Sequence, residues 1–190
     1  MSLKNLYIIA GCNGAGKTTA SFNILPEILD CKEFVNADEI ARGLSPFRPE
    51  NVSLEAGRIM LERIQELLTE REDFAFETTL ATKSFKNTIT SAQKLGYEVT
   101  LIFFWLDSEQ LAIDRVKNRI LEGGHSIPID VIRRRYHAGL KNLFDIYLEK
   151  VDNALIFDNS NSTPDLVAEI KAGNSMQVFN EAKFKLIKAQ

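Results

Sequence analysis

The segment GCNGAGKTT, residues 11 to 19, lies between the apolar run LYIIA and a stretch with helical periodicity. Gly11, Gly16, Lys17 and Thr18 fill every fixed position of the pattern G-x-x-x-x-G-K-[ST]. The glycines let successive backbone N–H groups point at phosphate oxygens, and the start of the next helix adds partial positive charge. The pattern therefore predicts a loop that binds the phosphates of a nucleoside triphosphate.

Two side chains of this loop have chemistry of their own. We expect Lys17 to reach the β- and γ-phosphates and to act in catalysis, and the Thr18 hydroxyl to bind Mg²⁺. Cys12 and Asn13 occupy variable positions, and their side chains are assigned no chemistry. The predicted nucleotide-binding positions of the loop are Gly11, Asn13, Gly14, Ala15, Gly16, Lys17, Thr18 and Thr19.

An acidic pair follows the second apolar run, in the segment FVNADEI. Asp38 lies just beyond the carboxyl end of a predicted strand, the end at which ligands bind in open parallel sheets. A carboxylate there can accept the proton of a hydroxyl group that attacks the γ-phosphate. We therefore assign Asp38 as the general base and a substrate contact. Glu39 competes for this role, and either acid can instead cap the helix that follows.

The segment FAFETTL places an acid and two hydroxyl groups at the end of another buried strand. Burial alone does not favour Glu77, Thr78 and Thr79 at this point, so we expect them to line the cleft and contact the substrate. Glu77 would orient a magnesium-bound water or the substrate, and one threonine would hydrogen-bond the acceptor. The alternative is that all three serve only to form the turn between strand and helix.

Arginines surround a pair of glycines between residues 115 and 135, and we interpret this region as a lid. Arg115 and Arg119 are one helical turn apart on one face, so both can lean toward the same anion. Gly123 and Gly124 then break the helix and permit hinging. An arginine that reaches the γ-phosphate only in a closed form stabilises the transition state more than the ground state.

Three consecutive arginines, Arg133, Arg134 and Arg135, follow the proline that restarts the helix. Successive helical residues diverge by about 100°, so at most two of the three can address one phosphate. The third then forms a salt bridge or faces solvent. Catalytic roles are assigned to Arg119 and Arg134, and nucleotide binding is assigned to Arg115.

Residues of two loops complete the predicted site. His125, within the lid, is a candidate substrate contact, or else a hydrogen-bonded loop histidine. The segment LIFDNS follows the last predicted strand and supplies Asn159 and Ser160. These residues can contact the nucleotide base or form a turn for local reasons. Asn159 is the nucleotide-binding candidate.

The elements that must position these residues alternate between short apolar runs and longer segments of helical period. This alternation is typical of an α/β fold with a parallel sheet covered by helices on both faces. The predicted strands are 6–10, 33–36, 74–77, 99–105 and 154–157. The predicted helices are 17–29, 51–71, 84–95, 108–121, 129–149 and 164–172.

The chain has 190 residues, 45% of them hydrophobic, which suits one domain. We assign residues 1–172 to that domain, with the lid at 115–135, and expect the tail 173–190 to pack on it as an amphipathic helix or an edge strand. The formal net charge of −3, with interspersed signs, gives no basic footprint for nucleic acid. The first apolar run is too short for a signal peptide or a membrane span, so a cytoplasmic protein is expected.

The motifs that are present and missing indicate which class of nucleotide-binding protein this is. An Asn-Lys-x-Asp base reader of regulatory GTPases and an LSGGQ-like signature of transporter ATPases are both missing from the sequence. A carboxylate after the second strand and arginines on a lid favour a kinase that acts on a small hydroxyl compound. The alternative is a nucleotide-dependent switch in which hydrolysis is incidental. Kinase action on a nucleic acid end is less favoured.

With these residues assembled, the chain resembles the zeta-toxin family of P-loop kinases, including the zeta-toxin-like predicted ATPases of bacteria. The resemblance rests on GCNGAGKTT, NADEI, FETTL, GGHSIP and FDNS. It implies a three-layer P-loop NTPase fold, adenylate-kinase-like, with a parallel sheet of about five strands. It also implies transfer of phosphate from ATP or GTP, with Mg²⁺, to a hydroxyl group. An inhibitory antitoxin-like protein is among the partners that it allows.

The resemblance assigns individual roles and also meets departures. In zeta toxins the acceptor is a UDP-activated amino sugar, the base matches Asp38 and the acceptor-site threonine matches Thr79. Where the toxins place an arginine three residues before the lid proline, this chain has His125, and the compensating charge is expected from Arg134 or Arg135. The acidic residue that binds substrate in the toxins has no clear match on the 51–71 helix.

Overall fold

A seven-stranded sheet forms the centre of the computed structural model, which describes residues 3–121, 123–124, 126–173 and 175–190. The strands are β1 (Lys4–Gly11), β2 (Glu33–Val35), β3 (Phe74–Thr78), β4 (Tyr97–Trp105), β5 (Asn153–Asp158), β6 (Asp165–Ile170) and β7 (Gln177–Val178). Their order across the sheet is β2-β3-β1-β4-β5-β6-β7. The first five strands are parallel, and β6 and β7 extend the sheet in antiparallel fashion.

Helices connect the parallel strands and flank the sheet, as the alternation of apolar runs and helical segments predicts. They are α1 (Lys17–Glu27), α2 (Ala37–Leu44), α3 (Ser53–Glu70), α4 (Phe85–Lys94), α5 (Glu109–Leu121), α6 (Ile129–Asn142) and α7 (Glu181–Ala189). A 3₁₀ turn, Pro49–Val52, leads into α3, and a π-helical turn, Leu143–Tyr147, extends α6. Helix α2 was not among the predicted helices.

The central strands are buried on both faces, which explains their nearly continuous apolar sequences. Leu6, Ile8, Phe74 and Phe76 have no solvent exposure, and residues 101–105 of β4 are all buried. A parallel sheet collects the carboxyl ends of its strands at one edge. That edge carries the loops after β1, β2, β3 and β5, which hold most of the predicted site residues.

The predicted helix over 164–172 is wrong, because β6 occupies this segment and pairs antiparallel with β5. The polar segment 159–164, NSNSTP, returns the chain within six residues, a common length for a connection between neighbouring elements. Pairing also satisfies the backbone groups on the open edge of β5, and it buries Val167 and Ala168. The sheet therefore has seven strands where about five were expected.

The tail from residue 173 contributes a short strand and a helix. Strand β7 pairs with β6, and α7 packs with Ile187 buried and with Phe184 against Phe144. The Asn180 side chain caps α7 by accepting a hydrogen bond from the Lys183 amide. The segment around Phe184 and Leu186, where an edge strand was the alternative, is helical, and the strand of the tail is confined to Gln177–Val178.

Candidate active site

The glycine loop after β1 has the conformation that its sequence predicts. Gly14 and Gly16 have φ angles of 79° and 82°, in the left-handed region that favours glycine. A Cβ atom on Gly16 would lie 2.6 Å from Asn159 Nδ2, so a larger residue does not fit there. Gly16 directly precedes α1 and provides no side-chain cap. The first amide groups of α1 are therefore available to an anion.

Lys17 is almost fully buried beside this loop, with 5% of its side chain exposed. Its ammonium group donates a hydrogen bond to the Cys12 carbonyl at 2.9 Å and lies 3.4 Å from Glu77 Oε1. A buried cation is stabilised by such partners. The structure therefore holds Lys17 inside the curve of the loop, where a phosphate group would meet it.

Glu77 connects three elements at the floor of the site. Besides Lys17, its carboxylate accepts hydrogen bonds from Thr18 Oγ1 at 2.7 Å and from Asn36 Nδ2 at 3.0 Å. Only 11% of its side chain is exposed. The Thr18 hydroxyl and the Glu77 carboxylate are oxygen donors of the kind that Mg²⁺ prefers.

These oxygen groups fit a magnesium ion that is bound together with a nucleotide. Among the described residues, no group of three or more His, Cys, Asp or Glu side chains could hold a metal by itself. Mg²⁺ in such proteins is held by one or two protein oxygens, with phosphates and water as the other ligands. Thr18 would be the direct ligand, and Glu77 would orient it or a bound water.

Asn36 explains how Asp38 comes to face the site. The Asn36 side chain is 5% exposed, and its Oδ1 accepts hydrogen bonds from the amides of Asp38 at 2.8 Å and Glu39 at 3.4 Å. Asn36 is thus the N-cap of α2, and the alternative that Asp38 or Glu39 caps this helix is wrong. The Asp38 side chain, in the first turn, lines the cleft described next.

A cleft of about 460 Å³ opens beside the phosphate loop. Its floor includes Lys17, Asn36 and Glu77, and Asp38 lies at its wall. The opposite wall is the first half of α3, from Ser53 to Leu61, together with the segment from Thr78 to Phe85. The volume suits a small molecule placed between the phosphate loop and Asp38.

The three consecutive arginines of α6 have different surroundings. Arg135 donates a hydrogen bond to Asn13 Oδ1 at 3.2 Å and lines the cleft, whereas Arg133 pairs with Glu109 at 3.3 Å. Arg134 lines a neighbouring space of about 370 Å³ that also contains Asp38 and Arg135. Arg135 is therefore the member of the three that contacts the phosphate loop.

The surroundings of Arg135 also affect its acid–base behaviour. Burial lowers the pKa of Arg135, the negative charge of Asp38 raises it, and the positive charge of Arg134 lowers it further. Asp38 and Arg135 are thus close enough to interact electrostatically. A guanidinium group keeps its charge in proteins in spite of such a shift.

Arg115 and Asn159 lie away from the cleft, where the loop after β5 meets the phosphate loop. Arg115 donates to the carbonyl oxygens of Asn159 and Ser160, both at 2.9 Å. The Asn159 amide donates to the Ala15 carbonyl at 2.7 Å. Both residues lie beside the phosphate loop, but these side-chain groups contact protein backbone.

Arg119 does not line the cleft. Its Nε and Nη2 atoms are buried and have no hydrogen-bond partner among the described residues. The side chain lies against Gly124, whose amide donates to the Arg119 carbonyl at 2.8 Å and helps to end α5. His125 lies outside the described residues.

The two threonines after β3 differ in their roles. Thr78 lines the cleft, and its Oγ1 also accepts a hydrogen bond from the Leu80 amide at 3.1 Å, as the turn-forming alternative expects. Thr79 also lines the cleft. Gly139 packs closely against the Thr79 backbone, because a Cβ atom on Gly139 would lie 2.5 Å from the Thr79 carbonyl oxygen. Thr19, the last loop position, is exposed on α1.

Sequence reasoning assigned no site role to Asn36 and Arg58, and it named Arg135 only as an alternative to Arg134. Asn36 carried a usable signal, because an Asn before Ala-Asp-Glu is a favoured helix cap. Arg58 lies on the α3 wall of the cleft, and its position within an amphipathic helix gave no sign of this. Arg135 could be separated from Arg134 only by the orientation of α6.

Fold and site together define a P-loop protein of the α/β class, with a phosphate loop, an adjacent cleft and arginines on the flanking helices. The model of the zeta toxin family matches residues 2–169, and the chain belongs to this family. An uncharacterized protein of Haemophilus influenzae is 30% identical over 128 residues, which cover 66% of this chain and 88% of that protein.

Solved structures show the same fold at low sequence identity. The AvrRxo1-ORF1:AvrRxo1-ORF2 complex solved with ATP contains a chain with a TM-score of 0.77 and 17% identity, over 98% of this chain. This chain spans 64% of the length of that AvrRxo1 chain. The PezAT toxin–antitoxin system of Streptococcus pneumoniae gives a TM-score of 0.69 and 18% identity, over 98% of this chain and 79% of that one.

Hydropathy adds one further observation. In the described part of the chain, none of the helices has the length and apolar character needed to cross a membrane.

Proposed function

We propose that the protein is a kinase that transfers the γ-phosphate of ATP to a hydroxyl group of a small molecule. One observation supports this most directly: Lys17 of the phosphate loop and Asp38 line the same cleft, at the carboxyl edge of a parallel sheet. A nucleotide held by the loop would place its terminal phosphate toward this cleft. The match to the zeta toxin family agrees with this assignment.

In this proposal the acceptor hydroxyl lies next to Asp38. The Asp38 carboxylate takes the hydroxyl proton as the acceptor oxygen bonds to the γ-phosphorus and the bond to the β,γ-bridging oxygen breaks. Lys17 and Arg135 supply positive charge to the phosphoryl oxygens, where negative charge must be stabilised. Thr18 would hold Mg²⁺, and the ion would supply positive charge that offsets the negative charge of the phosphates.

The roles of the remaining predicted residues follow from their places. Thr79 and Glu77 would contact the acceptor and the metal-bound water, respectively. Arg134 would approach the phosphates through the neighbouring space near Asp38. Arg119 would serve catalysis only after a movement of the lid segment, because it does not line the cleft.

For the acceptor we propose a hydroxyl compound that contains an apolar part. The α3 wall presents Leu54 and Leu61, with 87% and 46% exposure, next to the cation of Arg58. A UDP-amino sugar, the acceptor implied by the resemblance to zeta toxins, is the first candidate to test. ATP is the preferred donor, since a structural neighbour was solved with ATP, and GTP is the alternative.

The proposal extends to an inhibitory protein partner and to a cytoplasmic location. The PezAT structure comes from a toxin–antitoxin system, and AvrRxo1-ORF1 was solved with AvrRxo1-ORF2. A partner that covered the cleft would block both the donor and the acceptor.

Phosphotransfer can be tested directly with purified protein. We expect that ATP labelled at the γ-phosphate, Mg²⁺ and a panel of hydroxyl metabolites that includes UDP-amino sugars give a phosphorylated product by mass spectrometry. Lys17→Met provides the matched inactive variant, since it keeps the apolar stem and removes the ammonium group. Release of free phosphate alone, with no labelled metabolite, would favour the nucleotide-dependent switch.

A further inference from the structure

We infer that α7 is a positioning element of the nucleotide site, in which Lys183 holds Asp158 and thereby fixes the loop that supports the phosphate loop. This inference rests on the proposed nucleotide binding and goes beyond it, because it assigns a role in that binding to a helix far along the chain. Lys183 itself touches no predicted ligand. It would act through Asp158 and the two residues that follow.

The first contact in this series is an ion pair at the end of β5. Lys183 Nζ lies 2.6 Å from Asp158 Oδ2, and Asp158 is only 4% exposed. The other carboxylate oxygen accepts hydrogen bonds from the amide and the hydroxyl of Ser160, at 2.9 and 2.5 Å. A buried carboxylate with several partners fixes the backbone around it, and removal of one partner leaves a buried charge without compensation.

The second contact joins this loop to the phosphate loop. The Asn159 amide donates to the Ala15 carbonyl at 2.7 Å, immediately before Gly16 and the start of α1. Arg115 binds the carbonyl oxygens of Asn159 and Ser160 from the other side. A shift of residues 158–160 would therefore move the peptide that carries the first phosphate-binding amides.

A third contact closes the series at the other end of α7. Gln190 Oε1 accepts a hydrogen bond from Trp105 Nε1 at 3.0 Å, and Gln190 Nε2 donates to the Asp107 carbonyl at 2.9 Å. The Tyr136 hydroxyl lies 2.7 Å from both Gln190 Oε1 and the Leu106 carbonyl, and it can donate to one of them at a time. Helix α7 is thereby joined to β4, β5 and α6.

A helix that only covered apolar surface would not need these polar contacts. Helix α7 packs on the core through Ile187, which is buried, and Phe184, which is partly buried. The ion pair and the Gln190 contacts instead reach the ends of β4 and β5, beside the nucleotide-binding loop. Positional support of this kind typically changes ligand affinity without any direct contact to the ligand.

The test compares the affinity for a non-hydrolysable ATP analogue with Mg²⁺ in three variants, by titration calorimetry. We expect Lys183→Met to weaken binding roughly tenfold, the scale on which supporting contacts act. Lys183→Arg, which restores the charge, should remain within about threefold of the unmodified protein. Lys185→Met, on an exposed position of the same helix, is the matched control and should bind normally.

Thermal unfolding of each variant separates positioning from stability, with binding measured well below the unfolding midpoint. A lowered midpoint together with normal affinity in Lys183→Met would overturn the inference and leave the proposed function intact. If the unmodified protein binds no nucleotide, the proposed function fails and the inference fails with it. Should Lys183→Met not fold, the double variant Lys183→Met/Asp158→Asn removes the uncompensated charge, and normal affinity in it would also overturn the inference.

Discussion

The ammonium group of Lys17 lies 3.4 Å from the carboxylate of Glu77, deep at the base of the cleft. The same carboxylate accepts a hydrogen bond from the Thr18 hydroxyl, so one acid holds both the cation proposed to bind phosphate and the hydroxyl proposed to bind Mg²⁺. Where the local dielectric constant is low, such electrostatic contacts are strong and fix the position of each group. The contact between Lys17 and Glu77 therefore links the phosphate loop after β1 to the end of β3, which lines the cleft.

Replacement of Glu77 by glutamine is expected to raise the Mg²⁺ concentration needed for half-maximal phosphotransfer. The amide keeps the shape of the side chain but removes the negative charge that orients Thr18 and a metal-bound water. Loss of an outer-shell partner typically costs about 10- to 100-fold in metal affinity. A titration of activity with Mg²⁺ measures this effect. Glu62→Gln, an exposed position on α3, is the control, and equal Mg²⁺ dependence in both variants would remove Glu77 from metal binding.

Asp38→Asn is expected to reduce the rate of phosphotransfer by about 10²- to 10⁴-fold, the range for loss of a general base. Binding of the ATP analogue should remain nearly unchanged, since the phosphate loop is intact. Single-turnover kinetics and calorimetry check the two parts separately. Glu39→Gln is a matched control, because Glu39 is exposed and lies 3.5 Å from Arg42. Unchanged transfer in Asp38→Asn would exclude Asp38 as the base.

Arg135→Met is expected to lower the turnover number more than Arg133→Met or Arg134→Met. Arg135 alone among the three contacts the phosphate loop, through Asn13, and burial strengthens its electrostatic effect. Removal of one such donor typically costs about 10²- to 10³-fold. The three variants share the same substitution on consecutive residues, so they control for one another. A larger loss of turnover in Arg134→Met than in Arg135→Met would instead support the catalytic role that the sequence predicts for Arg134.

Much of the fold could be predicted from sequence, because the phosphate loop and the buried parallel strands have strong local patterns. All five predicted strands are present, and the seven-stranded sheet keeps the expected parallel core. The segment 164–172 could not be assigned correctly from its own residues. It forms a strand because the open edge of β5 needs a partner, which is a property of the assembled sheet.

The site shows the same division between local and tertiary information. The positions of Lys17, Thr18 and Asp38 follow from a loop and a strand end, so their neighbourhood could be inferred. The difference between Arg134 and Arg135 depends on how α6 is rotated against the phosphate loop, and Arg58 lines the cleft only because α3 packs beside it. Such packing angles are set by many distant contacts that no short pattern encodes.

The buried pair of Asp158 and Lys183 gives a prediction about stability and pH. Burial raises the pKa of Asp158, but hydrogen bonds from Lys183 and Ser160 outweigh burial and lower the pKa below its ordinary value. A depressed folded-state pKa stabilises the protein above the unfolded pKa, about 3.9, and this stabilisation is lost as the pH falls through the folded-state value.

Asp158→Asn removes this contribution of the Asp158 charge to stability. Urea unfolding should show the variant less stable than the unmodified protein at pH 7, with a smaller difference near pH 3. Asp165→Asn, whose exposed carboxylate also contacts Lys183 at 2.9 Å, should change stability far less at either pH. A difference between Asp158→Asn and the unmodified protein that stayed constant with pH would show that the Asp158 charge does not stabilise the fold.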